Sequence, residues 1–176
     1  SWAKDRKIGS RMINARAETL AEKPAFKGLL ARKRCIVPMD GFYEWQPGTP
    51  DGPLNAKGQP LKQPMYIHRG DGELLSVAGL WTAWKDPDDP EGRFLHSATI
   101  ITTAANATIR PVHDRMPALL TADHWATWLD PANQELAQLT GLLDGGPPDL
   151  LSMEPVSTDV NNVRNNRPDL IEPVSR

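Results

Sequence analysis

Between Gln46 and Pro64 the chain carries five prolines and three glycines, and no other stretch restricts the fold as much. Proline removes a backbone donor and fixes φ, while glycine raises the entropic cost of any one conformation, so neither a helix nor a central strand can pass through it. The stretch reads as a surface loop joining two strands. Before it, Arg34 to Trp45 reads as strand: Cys35-Ile36-Val37 enters, Asp40-Gly41 bends the chain, and Phe42-Tyr43-Glu44-Trp45 alternates large apolar with polar side chains. After it, strands are predicted at Met65 to His68, Leu74 to Trp84 and Phe94 to Thr103, separated by turn-rich segments at Arg69 to Asp71 and Asp86 to Gly92. Such spacing is that of an antiparallel sheet. Helix is predicted over Thr19 to Lys33, for a turn or two over Ala104 to Arg110, from Thr121 as N-cap through Trp128, and again after Pro131, with one short strand near Pro155 to Ser157.

Charge is unevenly spread. Residues 1 to 37 hold ten Lys or Arg against three acids, whereas the remainder holds ten against nineteen. Such asymmetry is the footprint of a polyanion-binding face or, equally, of a solvated helix. No run approaches the roughly 18 apolar residues of a membrane span, and no secretion signal is present, so the expectation is a soluble cytoplasmic protein, nucleoid-associated in a bacterium. With Cys35 as the only cysteine there is no internal disulfide. His68, His96, His113 and His124 are scattered without zinc-ligand spacing, and no glycine-rich phosphate loop precedes a helix, so neither a metal nor any other cofactor is expected.

Five short motifs carry more information: Asn14-Ala15-Arg16-Ala17-Glu18-Thr19, Asp40-Gly41-Phe42-Tyr43-Glu44-Trp45, Thr102-Thr103-Ala104-Ala105-Asn106, His113-Asp114-Arg115-Met116-Pro117 and Val160-Asn161-Asn162-Val163-Arg164-Asn165. In this order and spacing the chain resembles the SOS response-associated peptidase family, over essentially its whole length. The resemblance implies an α+β fold: a single compact domain over residues 1–176 on a twisted, mostly antiparallel sheet or barrel-like core with short peripheral helices. It also implies a monomer with a basic groove for single-stranded DNA containing abasic sites, and no membrane partner. In the family, autoproteolytic loss of the initiator methionine exposes a cysteine. Its α-amine, with a pKa of about 8, forms a Schiff base with the abasic aldehyde, and its thiol closes a reversible thiazolidine. That Met-Cys-Gly-Arg segment and several strands are expected upstream of Ser1, which makes this chain inactive alone.

The resemblance assigns roles residue by residue. Asn14 orients the amine or the substrate oxygen; its bland alternative is a turn or cap residue. Glu44, between aromatics, shuttles protons if its surroundings raise its pKa, the alternative being a solvated strand carboxylate. His113 protonates the sugar oxygen or assists a lyase step, the alternative being a packed bystander. Trp2, Lys4, Arg16, Trp45, Thr102 and Arg164 are the DNA-binding candidates, through phosphate contacts and base stacking. Trp81 is read as core before stacking platform, and Cys35 as a buried structural thiol. Two rival functions stay open: a non-covalent binder of single-stranded or modified DNA, and a cysteine peptidase using Cys35 and His113.

Overall fold

The structure, a computed structural model, describes residues 9–10, 12–85, 89 and 91–174. Among these the strands are β1 (Asn14–Arg16), β2 (Arg34–Met39), β3 (Gly41–Gln46), β4 (Gln63–Arg69), β5 (Leu75–Lys85), β6 (Phe94–Ala104), β7 (Arg115–Pro117) and β8 (Leu151–Pro155). The helices are α1 (Pro24–Arg32), α2 (Ala122–Leu129) and α3 (Leu136–Gly141). The fold is α+β. Its strands form two open sheets, so the barrel-like core expected from the resemblance is not closed. The chain falls into two compact units, each assembled from three stretches: up to Pro38, Ser76–Ala104 and Met116–Gly146 in the first, and Met39–Leu75, Ala105–Arg115 and from Pro147 onward in the second.

In the first unit the sheet order is β1-β6-β5-β2, with β7 also paired to β6. β5 and β6 run antiparallel from Gly79↔Ile100 to Lys85↔Phe94, but β1 lies parallel to β6, a departure from the expected antiparallel pattern. Gly79 is closely packed: a Cβ there would meet Cys35 Sγ at 3.0 Å and Val37 Cγ2 at 3.1 Å, so those side chains would have to give by a few tenths of an ångström. Pro24 opens α1 at a position where its missing N–H costs nothing. The helix buries Phe26 and Leu30 among Leu20, Leu80, Ile101, Leu120, Trp128 and Leu139. It is shorter than the expected Thr19 to Lys33, because Thr19 ends a 3-10 turn and residues 20–22 form turns before Pro24. Thr121 is the N-cap residue of α2, as expected, without a side-chain capping bond.

Arg34, counted above among the basic residues, is buried. Its Nε donates to Trp128 O (2.5 Å), Nη1 to Leu30 O (2.6 Å) and Ala31 O (2.7 Å), and Nη2 to Asn133 O (3.1 Å) and Asp130 O. All five guanidinium N–H groups are thereby used, on carbonyls of the last turn of α1 (Leu30, Ala31), of the last turn and C-cap of α2 (Trp128, Asp130) and of the loop that follows it (Asn133). The cation also lies 5.7 Å from the centre of the Trp128 ring.

In the second unit the order is β3-β4-β8, all antiparallel. The bend at Asp40-Gly41 therefore does more than kink one strand: β2 and β3 belong to different sheets. A Cβ at Gly41 would come within 2.5 Å of Ile67 O and of the Tyr66 ring, so only glycine allows β3 to lie this close on β4. The stretch 47–62 is irregular, with a single Leu54↔Pro60 bridge. Residues 105–112 make a run of turns rather than the expected helix, and the last strand is β8, a few residues before the predicted site.

Candidate functional site

Glu44 sits in the middle of β3, opposite Met65 of β4. Since β3 is an edge strand and alternate residues face opposite ways, Glu44 and Trp45 project to the two faces of the sheet. Burial pushes the Glu44 carboxyl above its ordinary value of 4.5, because a half-buried anion is poorly solvated. His113, the backbone N–H of Trp45 and Lys62 pull it back down, and Asp114 pushes it up. Glu44 and His113 are thus close enough to feel each other's charge.

His113 is held by a tight backbone weave. Asn106 Oδ1 accepts the N–H groups of Thr108 and Ile109 (both 3.2 Å), the His113 N–H donates to Ile109 O (3.0 Å), and the Ala105 N–H donates to Asp114 O (2.9 Å). The Arg115 N–H then donates to His113 Nδ1 at 2.9 Å, with Arg115 O and Asp114 Oδ1 each 3.2 Å from the same nitrogen. Nδ1 accepting from the Arg115 N–H places the neutral ring's proton on Nε2, whereas Nδ1 donating to Arg115 O or Asp114 Oδ1 leaves Nε2 as the basic nitrogen. In both tautomers Nδ1 is engaged and Nε2 is the nitrogen left to exchange a proton. The side chain is 44% exposed, so solvent and substrate reach it.

On the other face of β3, Trp45 Nε1 donates to Asn161 Oδ1 at 2.7 Å. The loop carrying Asn161 is pinned again by Asn165 Nδ2 to Asp159 O (2.8 Å) and by Arg167, which pairs with Asp159 and with Asp169. Arg164 is exposed on this loop, its N–H donating to Asn162 Oδ1 at 3.1 Å. Glu44, His113, Trp45 and Arg164 therefore belong to the second unit, the first two within electrostatic reach of each other. Asp114, Lys62 and Asn161 join them: the sequence offers Asp114, with Arg115, as a flanking orienting partner for His113, and singles out neither of the other two. Asp114 and Asn161 lie inside motifs quoted above, whereas Lys62 lies in the proline-rich loop with no local signal.

Asn14, Arg16 and Thr102 belong to the first unit. Asn14 and Arg16 are exposed on β1 on either side of buried Ala15, and Thr102 stands beside Arg16 in register, its hydroxyl 3.5 Å from Ala15 O. Asn14 is thus a strand residue rather than a turn or a cap. Trp2 and Lys4 lie outside the described residues. Trp81, read as core, is 37% exposed, with Lys33 Nζ 5.0 Å above its ring. Cys35 is half-buried, and burial pushes its thiol pKa up, the reverse of what a nucleophile needs. Its carbonyl accepts Trp128 Nε1–H at 2.9 Å. No helix among the described residues is long and apolar enough to cross a membrane.

Comparison with known proteins agrees with the motifs. The family model for SOS response associated peptidase matches residues 1–163. The chain is 44% identical over 171 residues to the abasic site processing protein YoqW of Bacillus subtilis strain 168, covering 97% of this chain and 71% of that one. It is 35% identical over 173 residues to the abasic site processing protein HMCES of Xenopus tropicalis, covering 93% of this chain and 50% of that one. A crystal structure of a protein from Bacteroides thetaiotaomicron superposes with a TM-score of 0.81 at 28% identity, over 99% of this chain and 72% of the other.

Proposed function

The chain belongs to the SOS response-associated peptidase family, and from that premise we propose that it processes abasic sites in single-stranded DNA, with Glu44 and His113 as its proton-transfer pair. The observation that carries this reading is the Glu44 carboxyl, raised by burial and within electrostatic reach of a histidine whose Nδ1 is engaged. A carboxyl raised in this way is partly neutral at a pH where an ordinary glutamate is ionised, so it can both give and take a proton.

The covalent step belongs to the family's N-terminal cysteine, which this sequence does not include. Its neutral α-amine adds to the ring-opened aldehyde to give a carbinolamine. Glu44 in its neutral form protonates the departing hydroxyl, which leaves as water, and an imine remains. The thiol sulfur then adds to the imine carbon while its proton passes to the nitrogen, closing the thiazolidine. His113, donating through Nε2, protonates the sugar oxygen as the ring opens. Asn14 holds the amine or the substrate oxygen, and Trp2, Lys4, Arg16, Trp45, Thr102 and Arg164 hold the strand.

The test is electrophoretic. Protein bearing the N-terminal cysteine, mixed with abasic single-stranded DNA, gives a species that survives denaturing gels, and Glu44→Gln or His113→Gln slows its formation at least tenfold, within the range of general acid-base catalysis. Residues 1–176 alone give no such species. A crosslink formed by this chain would transfer the chemistry to Cys35 and overturn the assignment. Exposed Arg16 on β1, beside Thr102, and exposed Arg164 support a second reading for the chain by itself, namely non-covalent single-strand binding. That binding must weaken steeply as salt rises.

A further inference from the structure

In the first unit β1 runs beside β6 only over residues 100–102, and the β5–β6 hairpin continues beyond it as far as Lys85 and Phe94. Residues opposite each other in register share a face of the sheet, and alternate residues change face. Trp81, Ala83 and Lys85 of β5 therefore stand on the same face as Ala98, His96 and Phe94 of β6. By the same register this face continues through Ile100 and Thr102 to Asn14 and Arg16. We infer that the hairpin end of the face is a stacking platform for single-stranded DNA, where Trp81, His96 and Phe94 take the bases of nucleotides beyond those held at Asn14, Arg16 and Thr102. The inference rests on the proposed function and extends its strand-binding surface to side chains which that function does not use.

Burial separates the two faces of the hairpin. On the opposite face Leu80, Trp84 and Thr99 are buried. On this one Phe94 is 60% exposed and Trp81 37%, and His96, Ala98 and Lys85 are exposed with them. Uncovered rings on a strand pair invite association, so a solvated face is ordinarily polar instead. The three rings also form a row. Trp81 and His96 lie 6.2 Å apart, centre to centre, and Phe94 follows His96 two residues along β6, about 6.6 Å further. That step is about twice the roughly 3.4 Å between nucleotides of a stacked strand. A single strand can be drawn out to set one base on each ring, whereas a duplex cannot.

The charge of the face suits an anionic backbone. Lys33 Nζ lies 5.0 Å above the Trp81 ring, Lys85 stands opposite Phe94, and Arg16 is exposed at the far end. The described residues that the register places on this face include no Asp or Glu. Aromatic rings with cations beside them hold any base on a phosphate backbone. From Thr102 to Phe94 is eight residues along β6, about 26 Å at roughly 3.3 Å each. A strand drawn out at the step of the rings places about four nucleotides over that length.

The test measures binding of the 176-residue chain to single strands with one central tetrahydrofuran abasic site. The strands are either short, about four nucleotides, or long, about sixteen, the ends of the range of single-strand site sizes. Wild-type protein should bind the long strand about tenfold more tightly than the short one, and should lose that gain when the outer nucleotides become base-free spacers. Trp81→Ala and Phe94→Ala should each forfeit most of the gain and bind the short strand as wild type does, while Trp81→Phe keeps most of it. Lys33→Gln should lower the salt slope for the long strand by about one. If circular dichroism shows Trp81→Ala unfolded, Phe94→Ala, at the more exposed ring, carries the test. Long-strand binding that responds to salt but to neither alanine change would remove the platform and leave the proposed function standing. Failure to bind any strand would remove both. Equal weakening of short and long strands would place these rings at the abasic site itself and overturn the inference, as would a duplex bound as tightly as the long strand. Self-association that Phe94→Ala abolishes without changing DNA affinity would assign the face to a second copy of the chain.

Discussion

Replacing Arg34 with methionine tests the first unit at its most heavily bonded side chain. Five carbonyls from Leu30, Ala31, Trp128, Asp130 and Asn133 accept its five N–H groups. A hydrogen bond from a charged donor contributes about 1.5–3 kcal/mol, so five of them, taken at face value, would rival the whole stability of an ordinary domain. The total is reduced because a buried guanidinium gives up several kcal/mol of hydration, and because methionine keeps apolar contact with the Trp128 ring. A net loss of about 3 kcal/mol remains, most of it from carbonyls left without donors. For a chain of this size that corresponds to a fall of about 6–12 °C in Tm. Arg34→Lys keeps the charge but not the planar fork, and should cost about half as much. Urea unfolding followed by circular dichroism measures both, with the m-value unchanged. If Arg34→Met stays within about 1 kcal/mol of wild type, water satisfies those carbonyls as well as arginine does, and the reasoning is wrong. If lysine is as damaging as methionine, the charge contributes nothing.

Glu44→Gln should show a pH-dependent effect on stability. Folding raises the Glu44 pKa, so its contribution is fully present below the unfolded value and is lost as pH climbs through the folded one. The variant's urea midpoint should therefore gain on wild type between about pH 4 and pH 7, and a gap that narrows or reverses refutes the burial argument. Cys35 should react with iodoacetamide at least about tenfold more slowly in native protein than in urea, and equal rates would show an open, ordinary thiol. Gly41→Ala should destabilise by about 3 kcal/mol through its clash with Ile67 O and the Tyr66 ring. Gly28→Ala, inside α1 with nothing within 4 Å of the new Cβ, should instead raise stability by about 0.5–1 kcal/mol. Thermal melts that reverse the order of these two glycine variants would count against the packing described for β3 and α1.

The proline-rich loop and its flanking strands were legible because Pro, Gly and period-two alternation act locally. What local signals do not encode is the partner of a strand. The bend at Asp40-Gly41 was visible, yet nothing in it says that β2 and β3 enter different sheets. β1 is three residues long and parallel, too short for any periodicity. Ala104 to Arg110 was read as a helical turn or two for a physical reason: the turns there and just after contain helix-like bonds from Arg110 N–H to Asn106 O and from His113 N–H to Ile109 O. Pro111 then prevents a regular run. Arg34 entered the count of basic residues because a charge tally is blind to burial. Trp81 was assigned to the core on residue type alone, whereas its place on β5 leaves its ring open to Lys33. Glu44 and His113 were identified from family motifs rather than from spacing, since residues that meet through tertiary structure leave no periodic trace. Lys62 had neither motif nor pattern to mark it.

The way the chain shuttles between the units governs how it can be made. β4, at residues 63–69, waits for β8, at 151–155, to complete its sheet, and β5 lacks its neighbour β6 until residue 104 has been added. A growing polypeptide on the ribosome thus holds unpaired strand edges for much of its synthesis, and such edges invite association with other chains. Slow translation through the segment after β6 would lengthen that exposure, so yield in cells should respond to chaperone supply more than to substitutions on the surface.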